Sequence, residues 1–103
     1  MSWLEDKQAA GNLPIKVVWL CGGTTADIIP MQPLKFNMNE AYEKIKKQHI
    51  KIRVKSPMVL MFDYMKMEIS LFDGGRMLIK NVKDKELSMK AYREILKTIN
   101  VTL

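Results

Sequence analysis

IKIRVKSPMVLMFDYMKMEISLFDGGRMLIK, residues 50–80, places apolar side chains at every second position through four successive runs. A period of two is the signature of β-strands that bury one face. In the first run Ile50, Ile52 and Val54 alternate with Lys51, Arg53 and Lys55, which predicts a strand with one basic face. Ser56-Pro57 breaks it. Met58, Leu60, Phe62 and Tyr64 then alternate against Val59, Met61 and Asp63, and a tight turn around Met65-Lys66 leads to Met67, Ile69 and Leu71. Asp73-Gly74-Gly75 is a hairpin signal, because such turns need positive φ angles that glycine accepts at little cost. Arg76–Lys80 closes a four-stranded antiparallel meander.

Working outward, a helix precedes the meander. Asn37 stands three residues before Glu40, the spacing of a capping box, and Met38, Ala41, Tyr42 and Ile45 form one apolar stripe. Lys44, Lys46 and Lys47 complement the helix dipole near an expected end at Gln48. Further upstream, Ile15–Leu20 reads as a strand, Gly22-Gly23 as a turn, and Ala26–Ile29 as a second strand ended by Pro30. After the meander, Asp84 is an N-cap for a helix carrying Leu87, Ala91, Ile95 and Ile99 on one side. Asn100–Leu103 is expected to fray. The fold class predicted is therefore α+β: a four-stranded antiparallel meander with two flanking helices and an N-terminal β-hairpin, in the order β-β-α-β-β-β-β-α. Residues 1–14 are expected to be a flexible N-terminal arm, and 15–103 a single domain.

The chain has 103 residues, 48% of them hydrophobic, enough for one core without disulfides. Cys21 is its only cysteine and His49 its only histidine, so neither an internal disulfide nor a multi-cysteine zinc site can form. No metal and no cofactor is expected. A lone thiol, short apolar runs and an opening MSWLEDKQ without a basic-then-apolar layout point to a cytoplasmic protein with no membrane partner.

Candidate chemistry is sparse, and no catalytic residue is assigned. Cys21-Gly22-Gly23-Thr24-Thr25 lacks the lysine and the following helix of a phosphate loop, so a tight turn is expected. Cys21 is the one candidate reactive thiol, but its neighbour Leu20 favours a buried, inert side chain. Asp63 and Glu68 flank a hairpin near basic residues and read as solvent-facing strand positions. The net charge of +6 is concentrated in Lys44, Lys46, Lys47, Lys51, Arg53 and Lys55. Nine methionines, five of them in the meander, suit either an irregular core or an adaptable binding face. With Met61 and Leu78 pointing away from the main core, a second apolar face is expected, covered by another domain or subunit. The partner-binding residues expected on these grounds are Lys51, Arg53, Lys55, Met61, Lys66, Arg76 and Leu78.

Cys21-Gly22, the strand ending at Ile29-Pro30, the meander with Asp73-Gly74-Gly75-Arg76-Met77-Leu78-Ile79-Lys80, and Ala91-Tyr92 in the last helix together resemble the C-terminal domain of prokaryotic HesA/MoeB/ThiF proteins. These are E1-like adenylyltransferases that activate ubiquitin-like sulfur carriers. The resemblance runs from Trp3 to Ile99. It implies a non-catalytic accessory domain whose partner is the E1-like adenylation domain, a ubiquitin-like carrier or a second copy of itself, as a homodimer. The family's ATP-binding domain is absent from this chain, and its arginine after Cys-Gly is replaced by Gly23, so adenylation does not carry over. Cys21-Gly22 matches the last pair of a zinc-binding set in relatives, whose companion cysteines are missing here. The meander followed by a helix also resembles half of a TATA-binding-protein fold. With the basic strand, that likeness makes a small nucleic-acid-binding protein the alternative reading.

Overall fold

The computed structural model describes residues 15–101; the expected N-terminal arm lies outside them. The elements are β1 (Ile15–Leu20), β2 (Thr25–Pro30), α1 (Met38–Lys47), β3 (Ile52–Lys55), β4 (Val59–Tyr64), β5 (Met67–Phe72), β6 (Met77–Lys80) and α2 (Lys85–Thr98). The α+β class and the element order are those expected from the sequence. The hairpin, however, is not an appendage to the meander. β2 pairs antiparallel with β6, which makes one six-stranded sheet in the order β1-β2-β6-β5-β4-β3.

Local chemistry explains each boundary. The Asn37 side chain accepts the Glu40 N–H at 3.1 Å, and Asp84 accepts that of Leu87 at 2.7 Å, so both helices begin on a side-chain cap. At the end of α2, Asn100 takes φ 61°, and the N–H groups of Asn100 and Val101 reach back to Lys97 and Leu96 at 3.1 and 2.9 Å. This closing motif satisfies the last carbonyls and packs Val101 against the core. Asn100 and Val101 therefore do not fray as the sequence suggested. At the β5–β6 turn, Gly74 and Gly75 adopt φ 95° and 99°.

Register puts the core on one face. Trp19, Ala26, Ile79, Ile69, Phe62 and Ile52 form a ladder crossing all six strands, and Val17, Ile28, Met77, Leu71 and Leu60 a second one beside it. Both join a single cluster with Met38, Ala41 and Ile45 of α1 and with Met89, Tyr92, Ile95 and Leu96 of α2. The two helices thus cover one face of the sheet, in two layers. No described element covers the other face.

Chain segments far apart in sequence meet over the last hairpin. Leu34, in the linker between β2 and α1, donates its N–H to the Gly74 carbonyl at 2.8 Å. A Cβ on Gly75 would meet the Leu34 Cδ1 at 2.6 Å. Gly75→Ala is therefore doubly unfavourable, in φ and in space, and should lower stability by about 2 kcal/mol or more. Gly22→Ala, also at positive φ but in open space, should cost about 1 kcal/mol. Conversely, the β4–β5 turn holds Met65 and Lys66 at φ 52° and 65°, so replacing them by Asn-Gly should stabilise by about 1 kcal/mol. Urea denaturation of the three variants measures all of these changes.

Candidate functional site

The uncovered face of the sheet gathers most of the residues singled out from the sequence. Its central row runs Val18, Asp27, Leu78, Ser70, Met61 and Val54 across the six strands. Val18, Leu78 and Met61 are half-buried, and Val54 is 41% exposed. By strand alternation Ile29, Val59 and Phe72 share this side, and all three are half-buried. The second apolar face anticipated from Met61 and Leu78 is present, and it is broader than those two residues.

Charges frame the apolar row in balanced sets. In the next row Asp63, Glu68 and Lys80 stand opposite one another on β4, β5 and β6. Arg53 reaches Asp63 at 2.9 Å and Glu68 at 3.5 Å, which explains how two neighbouring carboxylates are tolerated. On the other side of the row Arg76 donates two hydrogen bonds to Asp27, at 2.9 and 2.7 Å. The Asp27 side chain is only 9% exposed, while that of Arg76 is 50% exposed and lies over the Phe72 ring. The bond to Asp27 and its charge hold Arg76 even more firmly protonated than usual. A depression of about 250 Å³ lies among Arg53, Met61, Glu68, Ser70 and Lys80. The sequence pointed to Arg76 but not to Asp27, whose burial follows from the β2–β6 pairing.

The expected basic strand face does not form. A bulge between Ile52 and Val54 shifts the register, so Ile52 pairs with Phe62, Val54 with Met61, and Lys55 with Leu60. The extra residue reverses the alternation. Arg53 keeps the open face, opposite in side to Ile52, but Val54 now joins it there and Lys55 turns to the helix side. There its Nζ sits 4.2 Å from the Tyr42 ring centre, with Lys46 on the same ring at 5.6 Å. Lys51 is exposed just before β3, and Lys66 lies in the exposed β4–β5 turn. Of the seven expected partner-binding residues, Arg53, Met61, Arg76 and Leu78 lie together on the open face. Lys55 does not join them, and Lys66 lies beyond the strand ends.

Cys21 is exposed, not buried. It opens a turn spanning Cys21–Gly23 with φ 53°, and that backbone carries its side chain away from the strand it follows. The Thr24 hydroxyl caps its carbonyl at 2.9 Å, and β2 follows directly, so the segment is the tight turn expected. His49 takes φ 61° after α1 and donates its backbone N–H to Lys46. Among the described residues no three His, Cys, Asp or Glu side chains gather as a metal site, and no helix is long and apolar enough to cross a membrane. Comparison of the chain with protein-family models, with curated proteins and with solved structures finds no match in any of the three.

Two of the tyrosines on the helix side, Tyr64 and Tyr92, have phenols of raised pKa. Tyr64 donates to Glu94 at 2.7 Å, and burial followed by this bond pushes its phenol from 10.0 up to about 12. Tyr92 is fully buried, its hydroxyl has no partner among the described residues, and burial raises it as well. Both shifts favour the neutral phenol in the fold. The Tyr64 contribution is fully present below pH 10.0 and is lost as the pH rises through about 12, and that of Tyr92 is lost at higher pH still. Thermal stability should therefore fall across that alkaline window, less steeply in Tyr64→Phe, and tyrosinate absorbance should follow unfolding. Arg76→Ala should cost about 2 kcal/mol, since it strips both donors from a buried carboxylate, and Asp27→Asn in the same chain should recover part of the loss.

Proposed function

We propose that this chain is a non-catalytic interaction domain related to the C-terminal domain of HesA/MoeB/ThiF-type E1-like enzymes. Its partner is the adenylation domain of such an enzyme, docked on the open face of the sheet. One observation carries the reading: a sheet face with Val18, Leu78, Met61, Val54 and Phe72 on it, interrupted by Asp27 and Ser70, and no described element over it. A largely apolar face whose charges are mostly held in ion pairs has the composition of a protein interface. The pairing of both open-face arginines, Arg53 and Arg76, with carboxylates weighs against nucleic acid, since it leaves only Lys16 and Lys80 as unpaired cations among the described strand residues of this face. A phosphate backbone needs cations free to replace its counterions.

Titration of the chain with an E1-like adenylation domain, followed by calorimetry, tests the proposal. Binding is expected, weakened at least about tenfold by Met61→Glu with Leu78→Glu. Binding to a ubiquitin-like carrier alone would move the partner to the carrier. No binding to either protein, with salt-sensitive binding to DNA or RNA, would replace this reading by the nucleic-acid one.

A further inference from the structure

The two edges of the sheet are built differently. β3 is four residues long, is interrupted by its bulge and carries Arg53 and Lys55. Bulges, charges and short length all discourage an edge from pairing with another chain. β1 has none of these devices. It runs six residues, Ile15–Leu20, in unbroken register with β2, and its sequence IKVVWL contains one charge and no proline. Every second residue of an edge strand turns its N–H and C=O away from the sheet. Among the described residues no backbone hydrogen bond reaches β1 from that side. Val17, Val18 and Trp19 are half-buried there, and Leu20 is 41% exposed.

We propose that β1 is a strand-addition site for β1 of a second copy of this chain, paired antiparallel about a two-fold axis. An added strand must be extended, must offer apolar side chains on the helix side, and must not set a like charge against Lys16. β1 meets all three conditions itself. A two-fold axis perpendicular to the sheet keeps the helices of both copies on one side, so helix-side residues must face helix-side residues. Of the registers that do this, two pair the most of Ile15–Leu20. Centred on Val17, the pairing sets Ile15 against Trp19 and Lys16 against Val18. Centred on Val18, it sets Lys16 against Leu20 and Val17 against Trp19. In neither does a lysine face a lysine, which would be unfavourable across a strand pair.

The guarded β3 edge supports a second copy over an open chain of copies. β1 cannot continue head-to-tail onto β3, so the contact is isologous and closes at two. A six-residue edge buries less than a standard interface, so association is weak and depends on concentration. The edge shares Val18 with the open face, but Met61 and Leu78 lie on strands away from it, so variants at those two positions separate the two proposals.

Sedimentation equilibrium of the full chain, joined to cysteine cross-linking, tests this inference. A dimer growing with concentration is expected, weakened at least about tenfold by Val18→Lys while circular dichroism keeps its native form. In a Cys21→Ser background, Val17→Cys or Val18→Cys should oxidise to a covalent dimer, because facing residues of an antiparallel pair lie within disulfide range. Met61→Cys in the same background should not. If Val18→Lys prevents folding, the cysteine variants decide. A chain that is monomeric at every concentration and cross-links at neither position overturns the proposal. So does a dimer that survives Val18→Lys but is lost in Met61→Glu with Leu78→Glu.

Discussion

Four residue pairs between β2 and β6, from Thr25 opposite Lys80 to Ile28 opposite Met77, join two parts of the chain that would otherwise be separate. A two-stranded hairpin is marginal by itself in water, so β1 and β2 depend on this junction for their order. Thr25, Ala26, Asp27 and Ile28 are all buried as a result. The junction also fixes both surfaces of the sheet. On one side it aligns Ala26 with Ile79 under the helices, and on the other it sets Asp27 beside Leu78. The Arg76–Asp27 ion pair lies next to it and neutralises the one carboxylate that the pairing buries.

Much of this architecture was legible in the sequence, because most of its signals are local. Alternation in residues 50–80, the caps at Asn37 and Asp84, and the glycine turn at Gly74-Gly75 each act within a few residues, and each appears where it was expected. What was not legible is non-local or depends on a single inserted residue. Nothing in Thr25–Pro30 or Met77–Lys80 states that they will pair, since both simply read as strands. The bulge at β3 has no proline or glycine to mark it, yet it reverses the side on which Lys55 emerges. Cys21 was misplaced for a similar reason: its apolar neighbour suggested burial, whereas its positive φ turns it to solvent.

The candidate site was therefore half visible. Met61 and Leu78 were identified because an alternating strand with apolar residues on both faces cannot bury all of them against one helix layer. Asp27 and Val18, which complete the same row, became visible only once β2 was known to stand between β1 and β6. The electrostatics also differ from what composition suggests. A net charge of +6 describes the whole chain, but Arg53 and Arg76 on the open face are held by Asp63, Glu68 and Asp27, and the α1 lysines stand apart from them. Net charge is a property of the molecule, whereas recognition depends on how charge is distributed over one surface.

The β2–β6 pairing also orders events during synthesis. Thr25 is synthesised well before its partner Lys80, with the whole of α1 and β3 to β5 between them. Until then the β1–β2 hairpin has no sheet to join, and the strand that will become central is an edge. Contacts between residues so distant in sequence slow folding, because a long loop must close before they form. The nascent protein thus carries the β1–β2 hairpin without the third strand that β2 pairs with until β6 emerges. Only when β6 is in place does the sheet have all six described strands, and with them the core beneath the helices.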